Sequence, residues 1–464
     1  MMITNTQGDP QPGTPCHKEV DMPTQTATFK RRTFVAGTFI AATALLAGCN
    51  AGGGGSQAGE TTLTVMVGAQ DLTPEQVAEF ENNNPGIKIN QVLFDATRLN
   101  TMLASGNAPD ITVGGAVGSA NFNARGLATD LTPYLEKSEV LKEDDLQPVN
   151  DSFRWNGTKS GEGPLYGIVK DWSQDSTLWY NTSLFDKAGV PYLSDTEAIS
   201  YDELLETAKK LTVKDGATTT TFGLGVEWDW SLYGPISAMV MQQGESLYNE
   251  DLTKIDFTSA AAKRAIQWYV DFGKSGVGPT SLNPLPDGSD YSTFAAERMA
   301  ISQDGYWYGG NFAAPEALKT VRMAPSPVMG DTRVAPTYSG QGWWIPEKAK
   351  NKDAAFKLME YYMAGPPAEK RASSGWGLPG LKSLSDKLPQ DLPHQKQAYT
   401  VAQNELQYAK PLPDSPYISG DLMQSTIQTY LEKSIKGEMS VDQACAALTD
   451  DLNKALAQGK EQIG

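Results

Sequence analysis

The chain has 464 residues, of which 40% are hydrophobic and 20% charged; this composition is globular, and the length allows about three domains. Its 38 Lys and Arg against 55 Asp and Glu give a net charge of −17, which argues against nucleic acid or an anionic membrane surface as partner. With two His and three Cys, a zinc or iron–sulfur site is not expected, and no cofactor and no metal are predicted.

Residues 1–48 have the pattern of an export signal. A basic cluster precedes an apolar stretch that is too short for a comfortable transmembrane helix. Arg31-Arg32 followed by Thr33 resembles a twin-arginine signal, and the letters LAGC at 46–49 resemble a bacterial lipobox in which Cys49 is lipidated. An ordinary secretory signal with a chance cysteine is the alternative. Within 49–60, the Gly-rich residues after Cys49 predict a flexible tether.

Strand and helix patterns alternate from residue 61. Apolar residues alternate over 63–67, a helix start follows at Thr73-Pro74, and 84–86 ends that helix. A second strand at 87–89, a helical face at 99–103 and a third strand at 111–113 complete the pattern. This order predicts a βαβαβ unit, the start of a doubly wound sheet.

Further helices are predicted downstream. Ser200 and Glu203 form a capping box before one of them. Apolar residues at helical spacing mark three others, over 262–269, 355–362 and 441–452, and the second of these ends at Gly365. The chain is therefore predicted to be α/β, with two lobes.

Motifs for common enzyme chemistry are incomplete. Gly273-Lys274-Ser275 resembles the end of a phosphate-binding loop, but the required glycine is Trp268. No Gly-x-Ser-x-Gly elbow occurs, and a His-dependent triad would have to use His394. A catalytic pair of carboxylates for glycoside hydrolysis remains an alternative, because spacing in sequence does not give the separation of two acids in space.

Tryptophan is the most informative residue type. All ten lie between residues 155 and 376, several of them beside Gly, Asp, Ser or Gln. A sugar site needs aromatic faces for the C–H surface and polar groups for the hydroxyls. Trp179 and Trp268 are predicted to be core residues. For the tryptophans at 172, 228, 307 and 343, a ligand-binding role and a core role are equal alternatives.

The order of segments resembles the family 1 extracellular solute-binding proteins of carbohydrate ABC importers, the maltose-binding-protein-like class. The stretches that carry the resemblance are LTVMV (63–67), FENNNPGIKI (80–89), LASGNAPDI (103–111), YGIVKDW (166–172), LWYNTSLFDKAGV (178–190), FAAERMAISQDGYW (294–307) and KNKDAAFKLMEYY (350–362). They span nearly the whole chain after the lipobox.

The resemblance implies a two-lobed periplasmic-binding-protein fold of the type II kind, with hinge crossings and a central ligand cleft. Lobe 1 would comprise 61–168 and 340–395, and lobe 2 would comprise 169–339 and 396–464. Crossings are expected near 168–171 and 336–339, with a return around 395. Closure of the lobes around ligand is what a permease would sense.

The resemblance also implies which residues line the cleft. They are Asp95 and Arg98 after the second strand, Asp171, Trp172 and Gln174 after the first crossing, Trp228 or Trp230 and Trp307 in lobe 2, Gly340, Gln341 and Trp343 after the second crossing, and Trp376. Asp171 and Asp95 would accept hydroxyl donors, while Arg98 and Gln341 would donate to sugar oxygens. No catalytic residue is implied.

The function implied is that of a monomeric lipoprotein, anchored on the extracytoplasmic face of the membrane, that binds a di- or oligosaccharide and delivers it to an ABC transporter permease. One alternative is a binder of the same fold for a non-sugar solute such as a polyamine, a glycerol phosphodiester or a peptide. Another is a secreted glycoside hydrolase or lyase, which would need a carboxylate pair about 5–10 Å apart.

Overall fold

The computed structural model describes residues 59–226, 228, 231–285, 290–312, 320–338 and 340–463. The predicted signal at 1–48 and all but the last two residues of the predicted tether at 49–60 lie outside these ranges. Within them, no helix combines the length and the apolar character that crossing a membrane would require.

The described strands and helices alternate along most of the chain. The strands are β1 (Thr61–Val67), β2 (Ile87–Leu93), β3 (Ile111–Gly115), β4 (Arg154–Trp155), β5 (Ser160–Leu165), β6 (Ile168–Trp172), β7 (Leu178–Asn181), β8 (Val213–Asp215), β9 (Thr218–Thr221), β10 (Gly225–Val226), β11 (Ile301–Gln303), β12 (Val321–Ala324), β13 (Ala335–Pro336), β14 (Gln341–Trp344), β15 (Leu378–Pro379) and β16 (Ala409–Lys410).

The α-helices carry most of the remaining described residues. They are α1 (Pro74–Asn83), α2 (Ala96–Ser105), α3 (Ser119–Ala124), α4 (Thr132–Leu135), α5 (Thr182–Ala188), α6 (Tyr201–Leu211), α7 (Tyr233–Gln242), α8 (Ala260–Ser275), α9 (Asp290–Ala295), α10 (Lys352–Ala364), α11 (Pro366–Ser374), α12 (Pro393–Glu405), α13 (Gly420–Ile435) and α14 (Val441–Ile463). Short 3₁₀ segments include Tyr306–Phe312.

The first sheet has six strands in the order β15-β6-β14-β3-β1-β2. Strand β1 is parallel to β2 and β3, so the predicted βαβαβ unit is confirmed. Strand β14 is antiparallel to both β3 and β6, and β15 is antiparallel to β6. Consequently β1, β2, β3 and β6 all end at one edge of this sheet, where β14 and β15 begin. We call it the first edge.

The second sheet has four strands in the order β10-β11-β7-β12. Strands β10 and β11 are parallel, whereas β7 is antiparallel to β11 and β12. Strands β10, β11 and β12 therefore end at the edge where β7 begins, which we call the second edge. Together the two sheets and their helices form the predicted two-lobed α/β fold.

Residues 173–177 connect the end of β6 to the start of β7, and so connect the first edge to the second. Six peptide steps separate Trp172 from Leu178, so these strand ends lie at most ~20 Å apart. A second link runs from β13 to β14, and β13 pairs in parallel with β16. Helix α12 packs against β12. The lobe boundaries proposed at 168/169, 339/340 and 395/396 stay a prediction.

Local sequence signals place several helix ends. Thr73 caps α1 and Ser200 caps α6, each in a reciprocal capping box with the residue three positions later. Asp95 caps α2 through its side chain. The predicted helix over 355–362 lies within α10, which ends just before Gly365. The capping residues thus fix where these helices begin.

Two large apolar cores pack on the sheets, and a third, smaller cluster lies around Met66 and Trp344. In one, α6, α7, α8, α13 and α14 pack on the second sheet. The other covers the first sheet and continues onto Trp179 and Met323 of the second. Trp179 and Trp268 are both buried, which confirms their prediction as core residues.

Candidate functional site

The first edge collects residues that are far apart in the sequence. Asp95 and Arg98 follow β2, Trp172 ends β6, and Gln174 lies just beyond it. Gly340 and Gln341 stand at the start of β14, and Trp376 lies two residues before β15. Ligands of open α/β sheets bind outside the carboxyl ends of strands, so this edge is where a site is expected.

The second edge contributes tryptophans from two strand ends. Trp228 comes two residues after β10, and Trp307 comes four residues after β11. The connection over 173–177 between the two edges is buried throughout. Within it, the Ser173 hydroxyl accepts a hydrogen bond from the Trp307 backbone N–H at 3.1 Å. The link between the sheets therefore also positions Trp307.

The structure brings Trp307 and Trp376 together across the junction of the two edges. Their ring centroids are 5.8 Å apart at an interplanar angle of 53°, and both side chains are half-buried. Gly310 makes this approach possible, because a Cβ there would lie 3.0 Å from the Trp376 backbone nitrogen. The pair combines a fixed position with aromatic surface that remains open to solvent.

Four charged side chains form a cluster at the first edge. Lys170 Nζ lies 2.5 Å from Asp71 Oδ1 and 3.5 Å from Asp171 Oδ2, and Arg371 Nε lies 3.7 Å from the same Asp171 oxygen. Burial alone would lower the pKa of Lys170, but the carboxylates of Asp171 and Asp71 outweigh it and raise that pKa. Two cations facing two acids leave the cluster close to neutral.

Asp171 itself is almost completely buried in this cluster. Burial raises its pKa, against the opposing effect of Lys170 and Arg371. Its Oδ2 accepts no hydrogen bond, although both cations lie within ion-pair distance. In this arrangement the Asp171 carboxylate faces Lys170 and Arg371 and offers a ligand almost no surface.

Four predicted site residues are buried by packing. The Trp172 indole N–H donates to the Pro379 carbonyl, and the Gln174 amide donates to the Ala402 carbonyl. Trp228 stacks on Phe272, and its indole N–H donates to Ser281. Trp343 is 0% exposed and stacks on Tyr362 at 3.9 Å. In this arrangement these four offer a ligand little or no surface.

The other predicted residues vary in exposure. Asp95 and Arg98 are exposed, and Asp95 Oδ1 accepts the Arg98 backbone N–H at 2.7 Å as the cap of α2. Gln341 is exposed at the first edge. Gly340 is buried, and a Cβ there would lie 3.3 Å from the Ala116 Cβ. Trp230 lies outside the described residues.

Sequence reasoning missed a contact between α3 and the segment 413–416. Asp414 Oδ2 accepts the backbone N–H groups of Gly118 at 2.9 Å and of Ala120 at 3.1 Å. The Asn121 amide donates to the Pro416 carbonyl at 2.7 Å. Burial raises the pKa of Asp414 to about 6, against these two N–H bonds. No local sequence signal links residues about 295 positions apart.

The described ranges contain no group of three or more His, Cys, Asp or Glu side chains that could hold a metal ion. What the junction presents instead is two open aromatic rings, an exposed amide at Gln341 and a balanced set of charges. Those groups can bind an uncharged molecule with apolar faces and many hydroxyls.

The family model described as bacterial extracellular solute-binding protein matches residues 75–397. A search of the curated proteins finds no match.

Similar folds occur among solved structures. An ABC substrate-binding protein from Listeria monocytogenes in complex with cycloalternan is 24% identical with a TM-score of 0.72, over 86% of this chain and 99% of that one. An ABC transporter solute-binding protein from Thermotoga lettingae bound with α-D-tagatose is 23% identical with a TM-score of 0.70, and the match covers 85% of this chain and 100% of that one. The sugar-binding protein MalE of Xanthomonas citri is 20% identical with a TM-score of 0.65, and the match covers 86% of this chain and 98% of that one.

Proposed function

Since this chain belongs to the family of bacterial extracellular solute-binding proteins, we propose that it binds a di- or oligosaccharide where the first and second edges meet. The bound sugar would then be delivered to the permease of an ABC transporter. The observation that carries the proposal is the pair formed by Trp307 and Trp376. Similar structures with bound cycloalternan or tagatose, and the similar sugar-binding protein MalE, support the ligand class.

The residues around this pair suit an uncharged sugar. The half-buried indoles would cover the C–H face of a ring, and the exposed Gln341 amide can both donate to and accept from hydroxyls. The nearby charges of Asp71, Lys170, Asp171 and Arg371 compensate each other, so the site holds no excess cation for a phosphate or an acidic solute. This favours a sugar over the charged alternatives.

We propose no catalytic role for the acids of the first edge. Asp171 and Asp71 are engaged by Lys170, and Asp95 is engaged as a helix cap. Glycoside hydrolysis needs one acid free to give a proton and a second free to attack or to activate water. Binding and release need only a difference in affinity between an open and a closed arrangement.

The proposed location is the outer face of the membrane, with Cys49 lipidated and the protein a monomer. The family's extracellular character agrees with this placement, and the anchor rests on the LAGC sequence at 46–49 and on the glycines after it. The tether would let the folded body reach a permease in the same membrane.

Intrinsic Trp fluorescence, titrated with mono-, di- and oligosaccharides, tests the proposal. We expect a saturable change for one class of sugar, with no new reducing ends after long incubation. Gln341→Ala should weaken binding about fivefold, since one neutral hydrogen bond contributes about 1 kcal/mol. Gln267→Ala on the exposed face of α8 is the matched control and should leave affinity unchanged.

Two outcomes would contradict the proposal. Folded protein that responds to no sugar in the panel would shift the assignment to a non-sugar solute. Release of reducing ends would show a hydrolase and would require free carboxylates at the junction.

A further inference from the structure

The end of β2 carries two large apolar residues in an unusual position. Leu93 is 63% exposed and Phe94 is 41% exposed, next to one another at the first edge. The Phe94 backbone N–H donates to the Val67 carbonyl at 3.0 Å, so the strand pairing fixes the backbone of Phe94. Adjacent exposed apolar side chains of this size mark a contact surface more often than chance exposure.

The surroundings of Phe94 repeat the chemistry of the Trp pair. A surface pocket here is lined by Leu93, Phe94, Asp95, Arg98 and Met102, together with Thr97 and Thr101. An exposed aromatic ring beside a carboxylate, a guanidinium group and hydroxyls suits a molecule with both apolar faces and hydroxyl groups. The pocket is therefore chemically suited to a sugar ring.

The strand register relates this pocket to the proposed site. Gln341 pairs with Asp171 on one side and with Gly115 on the other, and Pro379 pairs with Asp171. When the pairing of β3 with β1 and of β1 with β2 is extended past the strand ends, Gly115 stands opposite Ala69, and Ala69 stands opposite Asp95. Asp95 is therefore level with Gln341 across the sheet. With ~4.8 Å between strands, three spacings put Phe94 and Asp95 ~14 Å from Gln341, and five put them ~24 Å from β15.

The path between these positions is made of small residues. Strand β3 ends in Gly114-Gly115 and is followed by Ala116, while β1 is followed by Gly68-Ala69. No aromatic or long aliphatic side chain of these two strand ends stands between Gln341 and Asp95. The first edge can therefore form one continuous floor from Trp376 to Phe94.

We infer that Phe94 is a second stacking surface of the ligand site and that the ligand is an oligosaccharide extended along the first edge from the Trp307–Trp376 pair to Phe94. This inference rests on the proposed function. A single sugar ring is about as wide as one strand spacing and cannot reach both surfaces. Affinity should therefore increase with the number of sugar rings, because only a long oligosaccharide stacks on Phe94 as well as on the Trp pair.

Calorimetric titration with maltose, maltotetraose and maltohexaose, and with the matching β-1,4-linked mannose series, tests this inference on the purified protein, because five strand spacings require about six rings. In the series that binds, affinity should rise about tenfold from two to six rings. Phe94→Ala should remove that rise and change the affinity for the disaccharide less than twofold. Phe94→Tyr should restore the rise, because it keeps the ring.

Tyr192→Ala removes another exposed aromatic side chain, remote in sequence from both edges, and should change no affinity. Equal affinity for two and six rings, or an unchanged rise in Phe94→Ala, would overturn the inference while leaving sugar binding intact. In that case Phe94 would be a contact for another protein. Absence of binding for both series and for the wider panel of sugars would instead count against the proposed function.

Discussion

Replacing Trp307 or Trp376 by Ala should cost the protein most of its affinity for sugar. Each indole supplies an open aromatic face at the junction of the two edges, and buried tryptophans at binding centres commonly contribute about 2 kcal/mol or more. We expect about a 30-fold rise in Kd for each single variant, measured by calorimetry. The rise in Kd of the double variant should be smaller than the product of the two single rises, because the rings contact one another.

Trp307→Phe separates loss of stacking from loss of structure, since it keeps an aromatic face and should bind within about fivefold of the wild type. Tyr192→Ala again serves as the remote control. Thermal unfolding should show that all variants are folded. An Ala variant at either position that binds as tightly as the wild type would remove the central support for the site.

Arg333→Ala should destabilise the folded protein by about 3–5 kcal/mol, because it leaves a buried carboxylate without its cation. Arg333 pairs with Glu405, whose side chain is 1% exposed, and lies over the Tyr408 ring at 4.0 Å. These residues flank β13 and β16, the paired strands beside the second link between the sheets. Urea unfolding at pH 8 measures the loss.

The loss should shrink as pH falls. Burial raises the pKa of Glu405, and Arg333 opposes that rise. Without Arg333 the folded protein binds the proton of Glu405 more tightly than the unfolded chain does. The destabilisation is therefore full at high pH and declines as the carboxylate becomes protonated.

Two further variants make the interpretation specific. Adding Glu405→Gln to Arg333→Ala should recover part of the stability at pH 8, since no charge is then buried. Lys209→Ala breaks an exposed ion pair with Glu206 and should change the free energy of unfolding by less than about 1 kcal/mol. If Arg333→Ala were no more costly than Lys209→Ala, the ion pair would not stabilise the folded protein beside the second link between the sheets.

The first lobe could be predicted because its signals are local. Alternating apolar residues mark β1, and Thr73 and Pro74 mark the start of α1. The capping box at Ser200 is equally local. The lobe boundaries depend instead on long-range pairing, and they remain predictions.

The candidate site was predictable only in part. Trp307, which follows β11 at the second edge, and Gln341, which begins β14 at the first edge, could be named because the family resemblance implies cleft residues at these positions. Burial could not be read from the same pattern: Trp343 stacks against Tyr362, and Trp228 against Phe272, through contacts that only the fold creates. Phe94 was missed because its exposure depends on β2 lying at the outer position of the sheet.

Hydrogen–deuterium exchange with and without the sugar that binds is the most direct test of where the ligand lies. We predict slower exchange on binding in the strand ends of the first edge and around the Trp pair, namely 68–71, 93–98, 115–118, 305–308, 340–341 and 374–377. Helices remote from the edges, such as α14, should exchange at unchanged rates. Protection confined to such helices, with none at the two edges, would contradict the account.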